Sequence, residues 1–316
     1  MRIIFVLALA SLSCLVSAQG APGAKDARRA VLVTGASTGI GRKTTELLAA
    51  KGFFVYAGAR KAADLAELNA IENVQGITLD VTSQEQIDAA VETVRAAGRG
   101  LYGLVNNAGV LVVGPLIELR EKDLAFQMDV NVFGPYRVTK AFAPLLIESK
   151  GRVTTTGSIS GFATWGMGGP YTMSKHAVEA YTDCLAAELA PFGVQVSVVE
   201  PGNYRSEIMT NMRERMSDAG YGGEGSRYRG QWERMLDGPT DRAQHKEPGE
   251  VAEAFLRALA DEKPQRRYMV VPNQREADLT LKAAMARVVQ LNANQPYAHD
   301  REGLIKLLDE ALAAAK

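Results

Sequence analysis

Residues 31–48 read VLVTGASTGIGRKTTELL, and this stretch decides the fold. An apolar run of the length of a buried strand comes first, a glycine-rich turn follows it, and the segment after the turn has helical spacing. Strand, tight turn and helix follow one another in this way in parallel α/β units. The stretch therefore predicts a strand whose carboxyl end leads directly into a helix.

The glycine-rich turn has the features of a loop that binds a phosphate group. Backbone N–H groups at the start of a helix can face an anion such as a pyrophosphate. We expect Gly35 to permit the tight turn, whereas Gly39 and Gly41 let ligand and helix approach without an intervening Cβ. Turns without ligands also use glycine, but the position between the first strand and the first helix favours a ligand. The predicted ligand-binding residues of this turn are Gly35, Ser37, Thr38, Gly39, Ile40 and Gly41.

Short β-rich runs alternate with helical segments along the rest of the chain. We predict strands at 30–34, 53–57, 75–79, 102–106, 152–157, 194–199 and 268–271. Helices are predicted near 39–51, 62–70, 83–97, 120–148, 170–191 and 248–261. This alternation is typical of a parallel sheet with helices on both faces. The predicted fold class is therefore α/β, a single-domain doubly wound parallel sheet of the Rossmann type.

The composition limits the classes of function. Of the 316 residues 47% are hydrophobic, and 36 basic residues balance 36 acidic ones. The length fits one large domain, and the balanced charge argues against a nucleic-acid partner. Three scattered histidines and two distant cysteines have no metal-ligand spacing, so no metal site is predicted. Cys184 lies among leucines and alanines, and we expect it in the core.

Further motifs follow the glycine turn in a recognisable order. They are Asp80-Val81, NNAG at 106–109, Asn131, Ser158, YTMSK at 171–175 and PG at 201–202. Together with the spacing T-G-x-x-x-G-x-G, they give a sequence that resembles the short-chain dehydrogenase/reductase family over roughly residues 30–272. The segment EPGNYRSEIM at 200–209 resembles the hydroxysteroid and retinol dehydrogenase branch, although Ser206 stands where that branch often has threonine.

The YTMSK motif is the predicted catalytic centre. Tyr171 and Lys175 are four residues apart and share one face of a helix. A nearby ammonium favours the phenolate of a tyrosine, whose pKa is otherwise about 10, so Tyr171 can exchange a proton with a substrate oxygen. Ser158 is expected to hydrogen-bond the same oxygen. The resemblance implies that Lys175 also holds the nicotinamide ribose and that Asn131 keeps a water chain to Lys175. A lone Y-x-x-x-K is more often a surface feature, but Ser158 and Asn131 in register favour catalysis.

The residues after the second predicted strand indicate the cofactor. NAD-binding proteins of this fold usually place an acidic residue there for the ribose hydroxyls. This chain has Ala59, Arg60 and Lys61, and an arginine can pair with a 2′-phosphate, so NADP(H) is predicted. A solvated turn is the alternative, and it suits Lys61 better than Arg60. The other predicted cofactor-binding residues are Asp80, Val81, Asn107, Tyr171, Lys175, Pro201 and Gly202.

The resemblance implies an oxidoreductase that transfers hydride between a nicotinamide cofactor, predicted above as NADP(H), and a secondary alcohol or ketone. We expect a lipophilic substrate, such as a steroid-like, retinoid-like or other bulky carbonyl compound. Two alternatives are a non-catalytic NADP-binding sensor or scaffold and a sugar-nucleotide epimerase or dehydratase. The complete Ser-Tyr-Lys-Asn set disfavours the first, and the glycine spacing disfavours the second. The predicted partner is a small-molecule alcohol or carbonyl compound. The helices at 120–148 and 170–191 resemble those through which family members pair, which implies a homodimer or homotetramer.

The substrate region is predicted in residues 203–246, which lie between a strand and a helix as a lid would. Flexible thioethers and aromatic rings suit a bulky apolar ligand, but the same side chains could pack the lid onto the core. These residues are Ile208, Met209, Met212, Met216, Tyr221, Tyr228, Trp232 and Met235. The predicted dehydrogenase domain spans 30–272, and two amphipathic helices form an extension at 273–316.

The first residues, MRIIFVLALASLSCLVSAQGAPG, have the features of a targeting segment. An apolar run at 3–16 ends in the small residues that signal peptidase requires before Gln19. We expect residues 1–18 to be a signal peptide and 19–29 a linker. The protein is then exported or, if the run at 3–16 is retained, anchored to a membrane by it. It is cytoplasmic if the signal is not used.

Overall fold

A parallel sheet forms the centre of the computed structural model, which describes residues 28–222, 225–238 and 244–314. Its strands within these ranges are β1 Ala30–Val33, β2 Phe54–Ala59, β3 Val74–Thr78, β4 Gly103–Asn106, β5 Arg152–Thr156, β6 Gln195–Pro201 and β7 Arg267–Val270. Their order across the sheet is β3-β2-β1-β4-β5-β6-β7, and every neighbouring pair is parallel. The prediction of a doubly wound parallel sheet is confirmed.

Helices connect the strands and cover both faces of the sheet. Their bounds are α1 Gly39–Ala50, α2 Ala62–Asn69, α3 Gln84–Ala96, α4 Glu121–Met128, α5 Gly134–Glu148, α6 Gly169–Leu189, α7 Ile208–Asp218, α8 Arg229–Leu236, α9 Gly249–Ala260, α10 Gln274–Asn292 and α11 Arg301–Ala314. None of the helices described here is long and apolar enough to cross a bilayer. The predicted signal peptide at 1–18 and the linker up to residue 27 lie outside the described residues, as do 223–224 and 239–243 of the predicted lid.

The alternation of side chains along β1 explains why both faces are covered. Leu32 packs into one hydrophobic cluster with Phe142 of α5, whereas Val31 and Val33 pack into a second cluster with Phe255 of α9. All four residues of β1 are buried, because successive side chains of a strand point to opposite faces. The strand order reverses between β1 and β4, so a crevice opens at the carboxyl ends of the central strands.

The helix predicted over 120–148 is interrupted, which corrects the sequence prediction. A π-helical segment at Asp129–Phe133 separates α4 from α5. Pro135, in the first turn of α5, has no N–H with which to reach the carbonyl of Asn131 four residues earlier. Regular α-helical bonding therefore fails at the place where Asn131 lies. Such π-helical turns are frequent at functional sites.

Cys184 also differs from its prediction, because it is exposed rather than buried in the core. The buried stripe of α6 runs through Thr182, Ala186 and Leu189. A residue two positions from both Thr182 and Ala186 lies on the opposite side of a helix with 3.6 residues per turn. The apolar neighbours of Cys184 in sequence therefore do not become its neighbours in space.

Candidate active site

A cleft of about 1320 Å³ lies at the carboxyl edge of the sheet. The sequence-predicted site residues all line it, although they come from segments spread over about 170 positions of the chain. They are Gly35, Ser37, Thr38, Gly39, Ile40, Gly41, Arg60, Asp80, Val81, Asn107, Asn131, Ser158, Tyr171, Lys175, Pro201 and Gly202. The parallel strands bring these residues together because each strand ends at the same edge.

The glycine turn is as tight as its sequence predicts. Gly35 has a φ of +64° and Gly39 a φ of +54°, a region that favours glycine. A Cβ on Gly41 would lie 2.1 Å from the Gly35 carbonyl oxygen and 2.4 Å from Nδ2 of Asn107. Thr38 precedes α1 with extended backbone and makes no side-chain capping bond. The first N–H groups of α1 thus receive no cap from Thr38, which suits the approach of an anion.

Asn107 ties the ends of three strands together beneath the cleft. Its backbone N–H donates to Oγ1 of Thr34 at 2.9 Å, and its Nδ2 donates to the carbonyl oxygens of Thr34 at 3.1 Å and Gly35 at 3.0 Å. Thr156, at the end of β5, donates to Oδ1 of Asn107 at 3.2 Å. Because these bonds use both ends of the amide, Asn107 fixes the floor of the cleft rather than offering a free contact.

Arg60 and Asp80 lie together at the end of the cleft formed by β2 and β3. Nη1 of Arg60 is 3.8 Å from Oδ2 of Asp80, and the arginine side chain is largely exposed. Oδ1 of Asp80 accepts hydrogen bonds from the N–H and the hydroxyl of Thr82 at 2.9 and 2.7 Å. Burial opposes the charged form of Asp80, but the bonds from Thr82 and the charge of Arg60 outweigh it and lower the pKa of the carboxyl. The carboxylate is thus held in place while the guanidinium remains accessible.

Lys175 is buried in the wall of the cleft. Its Nζ donates to the carbonyl oxygen of Thr156 at 2.7 Å and lies 5.5 Å from the centre of the Tyr171 ring. Burial lowers the pKa of Lys175 to about 8, against the opposing effect of the Glu179 carboxylate. The helical spacing of YTMSK therefore places tyrosine and lysine side by side, as predicted.

Ser158 and Trp165 complete the surroundings of Tyr171. Ser158 is buried, and its Oγ accepts a hydrogen bond from the N–H of Ser160 at 3.1 Å. Because the hydroxyl is held as an acceptor from its own loop, its hydrogen is directed away from that bond. The centres of the Trp165 and Tyr171 rings are 6.0 Å apart, so an aromatic surface lies next to the phenol.

Asn131 and Gln127 clamp the loop that follows β4. Asn131 Oδ1 accepts from Val110 N at 2.8 Å, and its Nδ2 donates to the Val110 carbonyl at 3.0 Å and to Ser174 Oγ at 3.2 Å. One turn earlier, the buried Gln127 accepts from Val112 N at 2.6 Å and donates to the same Val110 carbonyl at 3.0 Å. Sequence reasoning missed Gln127. The only indication in the sequence is that this polar residue lies four positions, about one helical turn, before Asn131.

The predicted lid residues divide between the two roles that the sequence left open. Ile208 and Met209 line the cleft and also pack against the hydrophobic cluster beneath the lid, so they serve both roles. Met212, Met216 and Trp232 are buried and pack on the loop at 111–113. The remaining three lid residues, Tyr221, Tyr228 and Met235, are partly buried and pack against that same cluster.

The C-terminal extension contributes a residue to the cleft that sequence reasoning also missed. Leu279 of α10 lines the cleft, although it belongs to a segment that carries no motif. The Glu276 carboxylate fixes the start of α10, because its Oε2 accepts a hydrogen bond from Asn203 N at 2.8 Å. The loop after β6 and the extension therefore meet at the rim of the cleft.

Residues 29–217 match the sequence profile of the short chain dehydrogenase family. The chain belongs to this family. This short-chain dehydrogenase is 40% identical over 186 residues to the mitochondrial D-beta-hydroxybutyrate dehydrogenase of Rattus norvegicus, a match that covers 56% of this chain and 54% of the relative. It is 40% identical over 193 residues to retinol dehydrogenase 7 of the same species, covering 60% of each chain. The matched region thus spans little more than half the length of these relatives.

The fold of this short-chain dehydrogenase is shared with solved structures. A short-chain dehydrogenase from Streptomyces avermitilis is 29% identical and superposes with a TM-score of 0.67, over 84% of this chain and 94% of the other. Within residues 28–222, 225–238 and 244–314, no three His, Cys, Asp or Glu side chains come together as metal ligands would.

Proposed function

We propose that this short-chain dehydrogenase transfers hydride between NADP(H) and a secondary alcohol or ketone, with a lipophilic substrate. The observation that carries the proposal is the convergence of Ser158, Tyr171 and Lys175 in one cleft with the glycine turn. A dinucleotide fits this arrangement, because Gly35, Gly39 and Gly41 line the cleft without side chains at the start of α1, where a pyrophosphate would approach. When bound, the nicotinamide would supply or accept the hydride.

The side chains of the cleft then supply proton transfer and hydrogen bonding to the substrate oxygen. Tyr171 gives its phenolic proton to the substrate oxygen during reduction and takes it back during oxidation. Ser158 hydrogen-bonds the same oxygen and stabilises the negative charge that develops on it. The Lys175 ammonium, beside the Tyr171 ring, favours the phenolate and would hold the ribose hydroxyls of the cofactor. Pro135 has no N–H, so it cannot donate an α-helical hydrogen bond to the backbone carbonyl of Asn131. The side-chain amide of Asn131 already bonds Val110 and Ser174. The backbone carbonyl is therefore the group of Asn131 that would hold a water towards Lys175.

A panel of carbonyl compounds and alcohols, assayed with both cofactors, tests this function. The apolar lining from Leu111, Trp165, Ile208, Met209 and Leu279 supports a bulky substrate. We expect higher kcat/KM for steroid-like or retinoid-like compounds than for short hydroxy acids. Tight NADPH binding with no turnover of any compound would instead support a sensor or scaffold.

The proposed cofactor preference depends on Arg60. Its exposed guanidinium, next to the carboxylate of Asp80, can pair with a 2′-phosphate, and positions 59–61 at the end of β2 hold no acidic residue that would repel that group. The same exposure allows Arg60 to exchange its 3.8 Å contact with Asp80 for a bidentate bond to phosphate.

Arg60→Asp is expected to lower the ratio of kcat/KM for NADPH over NADH on the order of a hundredfold, because it inverts the charge that faces the 2′-phosphate. Steady-state kinetics with both cofactors measure the ratio. Arg95→Asp is the matched control, because Arg95 is an exposed arginine on α3 that pairs with Glu92 and does not line the cleft. A wild-type preference for NADH, or an equal effect of both substitutions, would contradict the role of Arg60.

A further inference from the structure

Two buried glutamates lie together behind the wall of the cleft. Glu179 belongs to α6 and Glu200 to β6, and their residues are 8% and 3% exposed. Neither lines the cleft itself, so neither is expected to touch substrate or cofactor. Two buried carboxyl groups at one place require compensation for their charge.

Arg267 of β7 supplies part of this compensation. Its Nε is 3.0 Å from Oε2 of Glu179 and 3.5 Å from Oε1 of Glu200. Its Nη2 is 2.7 Å from Oδ2 of Asp183, one turn further along α6. A single guanidinium therefore faces three carboxyl groups, one of which is exposed to solvent.

A proton shared by Glu179 and Glu200 would remove the negative charge of the pair that Arg267 does not compensate. The two carboxyl groups lie next to each other, because both contact the same Nε of Arg267. In the described part of the chain, Oε1 of each glutamate is buried and accepts no hydrogen bond, although Nε of Arg267 lies 3.5 Å from that of Glu200. Burial and repulsion from Glu179 raise the pKa of Glu200 well above its ordinary value, and burial raises that of Glu179. One proton on the pair lets one carboxyl group donate a hydrogen bond to the other and leaves one negative charge.

The pair is connected to Lys175 through α6. Glu179 follows Lys175 by four residues, so both side chains lie on the same face of the helix. The charge of Glu179 favours the ammonium form of Lys175 and opposes the effect of burial on its pKa. The negative charge of the pair thus lies one helical turn from the lysine of the site.

The pair also supports the loop that carries Ser158. A Cβ on Gly161 would lie 2.9 Å from Oε1 of Glu179, and a Cβ on Gly157 would lie 3.2 Å from the same atom. The loop therefore rests on the Glu179 carboxyl on both sides of Ser158. Both connections lead from the buried pair to residues that line the cleft.

We propose that Glu179 and Glu200 share one proton and act as positioning residues, holding a single negative charge that keeps the Lys175 ammonium charged and in place. The inference rests on the proposed role of Lys175. It adds to that function a buried acid pair that lies outside the cleft and influences the protonation of Lys175.

The charged groups that face the pair determine its response to pH. They are Lys175 and Asp183 on α6 and Arg267 on β7, while Arg266 lies 3.8 Å from the far oxygen of Asp183. As pH rises, the pair loses its shared proton and gains a second negative charge. That charge favours the Lys175 ammonium, so the pair delays the loss of the lysine proton on the alkaline side.

Infrared spectroscopy of the full chain tests the shared proton without any assay of activity. At neutral pH we expect a protonated-carboxyl C=O band in the wild type, because unperturbed carboxyl groups are ionised there. Glu200→Gln should remove the band while keeping a hydrogen-bond donor next to Glu179. Absence of the band in wild type, or its persistence in both Glu200→Gln and Glu179→Gln, would overturn the shared proton even if the proposed reaction is correct.

The pH dependence of kcat/KM, with the best substrate of the panel, tests the positioning role. We expect the alkaline limb to move to lower pH by roughly one unit in Glu179→Gln and by less in Glu200→Gln. Asp183→Asn is the matched control, because Asp183 binds the same arginine but is half exposed, and its alkaline limb should stay in place. Thermal unfolding of each variant identifies loss of folding.

An unchanged alkaline limb in a folded Glu179→Gln variant would overturn the positioning role. A simple structural role would lower Tm and kcat without moving the limb. If no compound of the panel is turned over, the limb is measured instead in the pH dependence of NADPH affinity, which also depends on the Lys175 charge. The failure of the proposed reaction and the failure of this inference therefore give different results.

Discussion

Tyr171→Phe is expected to lower kcat roughly a thousandfold while leaving the affinity for NADPH largely unchanged. The substitution removes only the phenolic oxygen, so the proposed donor and acceptor of the proton is lost. The ring remains in place 6.0 Å from Trp165 and next to the Lys175 ammonium. Steady-state kinetics measure kcat, and a fluorescence titration with NADPH measures the affinity.

The same helix offers a matched control for this substitution. Tyr181 also lies on α6, and its hydroxyl donates to the carbonyl oxygen of Pro135 at 3.3 Å, away from the cleft. Tyr181→Phe should keep kcat within a few-fold of the wild type. Retention of a comparable kcat by Tyr171→Phe would contradict the assignment of Tyr171 as the proton donor.

Gly41→Ala is expected to abolish NADPH binding and to lower the free energy of unfolding by about 3 kcal/mol. The added methyl group would lie 2.1 Å from a backbone oxygen, so the turn between β1 and α1 must move. Movement of that turn breaks the bonds of the Asn107 amide to Thr34 and Gly35, which fix the floor of the cleft. Chemical denaturation and a cofactor titration measure the two effects.

Gly249→Ala serves as the control for the general effect of removing a glycine. Gly249 begins α9, and a Cβ at this position meets no atom within 4 Å. The stability and cofactor affinity of the Gly249→Ala protein should remain close to those of the wild type. Equal stability of the Gly41→Ala and Gly249→Ala proteins would show that the turn tolerates a side chain and would contradict the close-packing argument.

The strands were predictable because each is a short apolar run bounded by turn residues. The prediction at 102–106 differs from β4, Gly103–Asn106, by one residue, and the other strands differ by one or two at their ends. The YTMSK spacing was equally informative, since Tyr171 and Lys175 lie on a single helix and the period of that helix fixes their separation. The catalytic roles of the site residues remain predictions that kinetics must test.

Features that depend on contacts between distant segments could not be predicted from local sequence patterns. Leu279 lines the cleft, and Glu276 on the same helix binds the loop after β6, 73 residues earlier in the chain. Glu179 and Glu200 meet because α6 packs on β6, and each alone reads as an ordinary charged residue. Cys184 shows the opposite error, since its apolar neighbours in sequence suggested burial and the helical period places it outside.

The attachment of α10 at the rim of the cleft has a consequence for engineering. Residues that would perform proton transfer come from the sheet edge and from α6, whereas Ile208, Met209 and Leu279 come from segments that follow β6. A mutant library restricted to these three positions would reshape the mouth of the cleft and leave the proposed catalytic residues unchanged. Such a library separates selection for a new substrate from selection for rate.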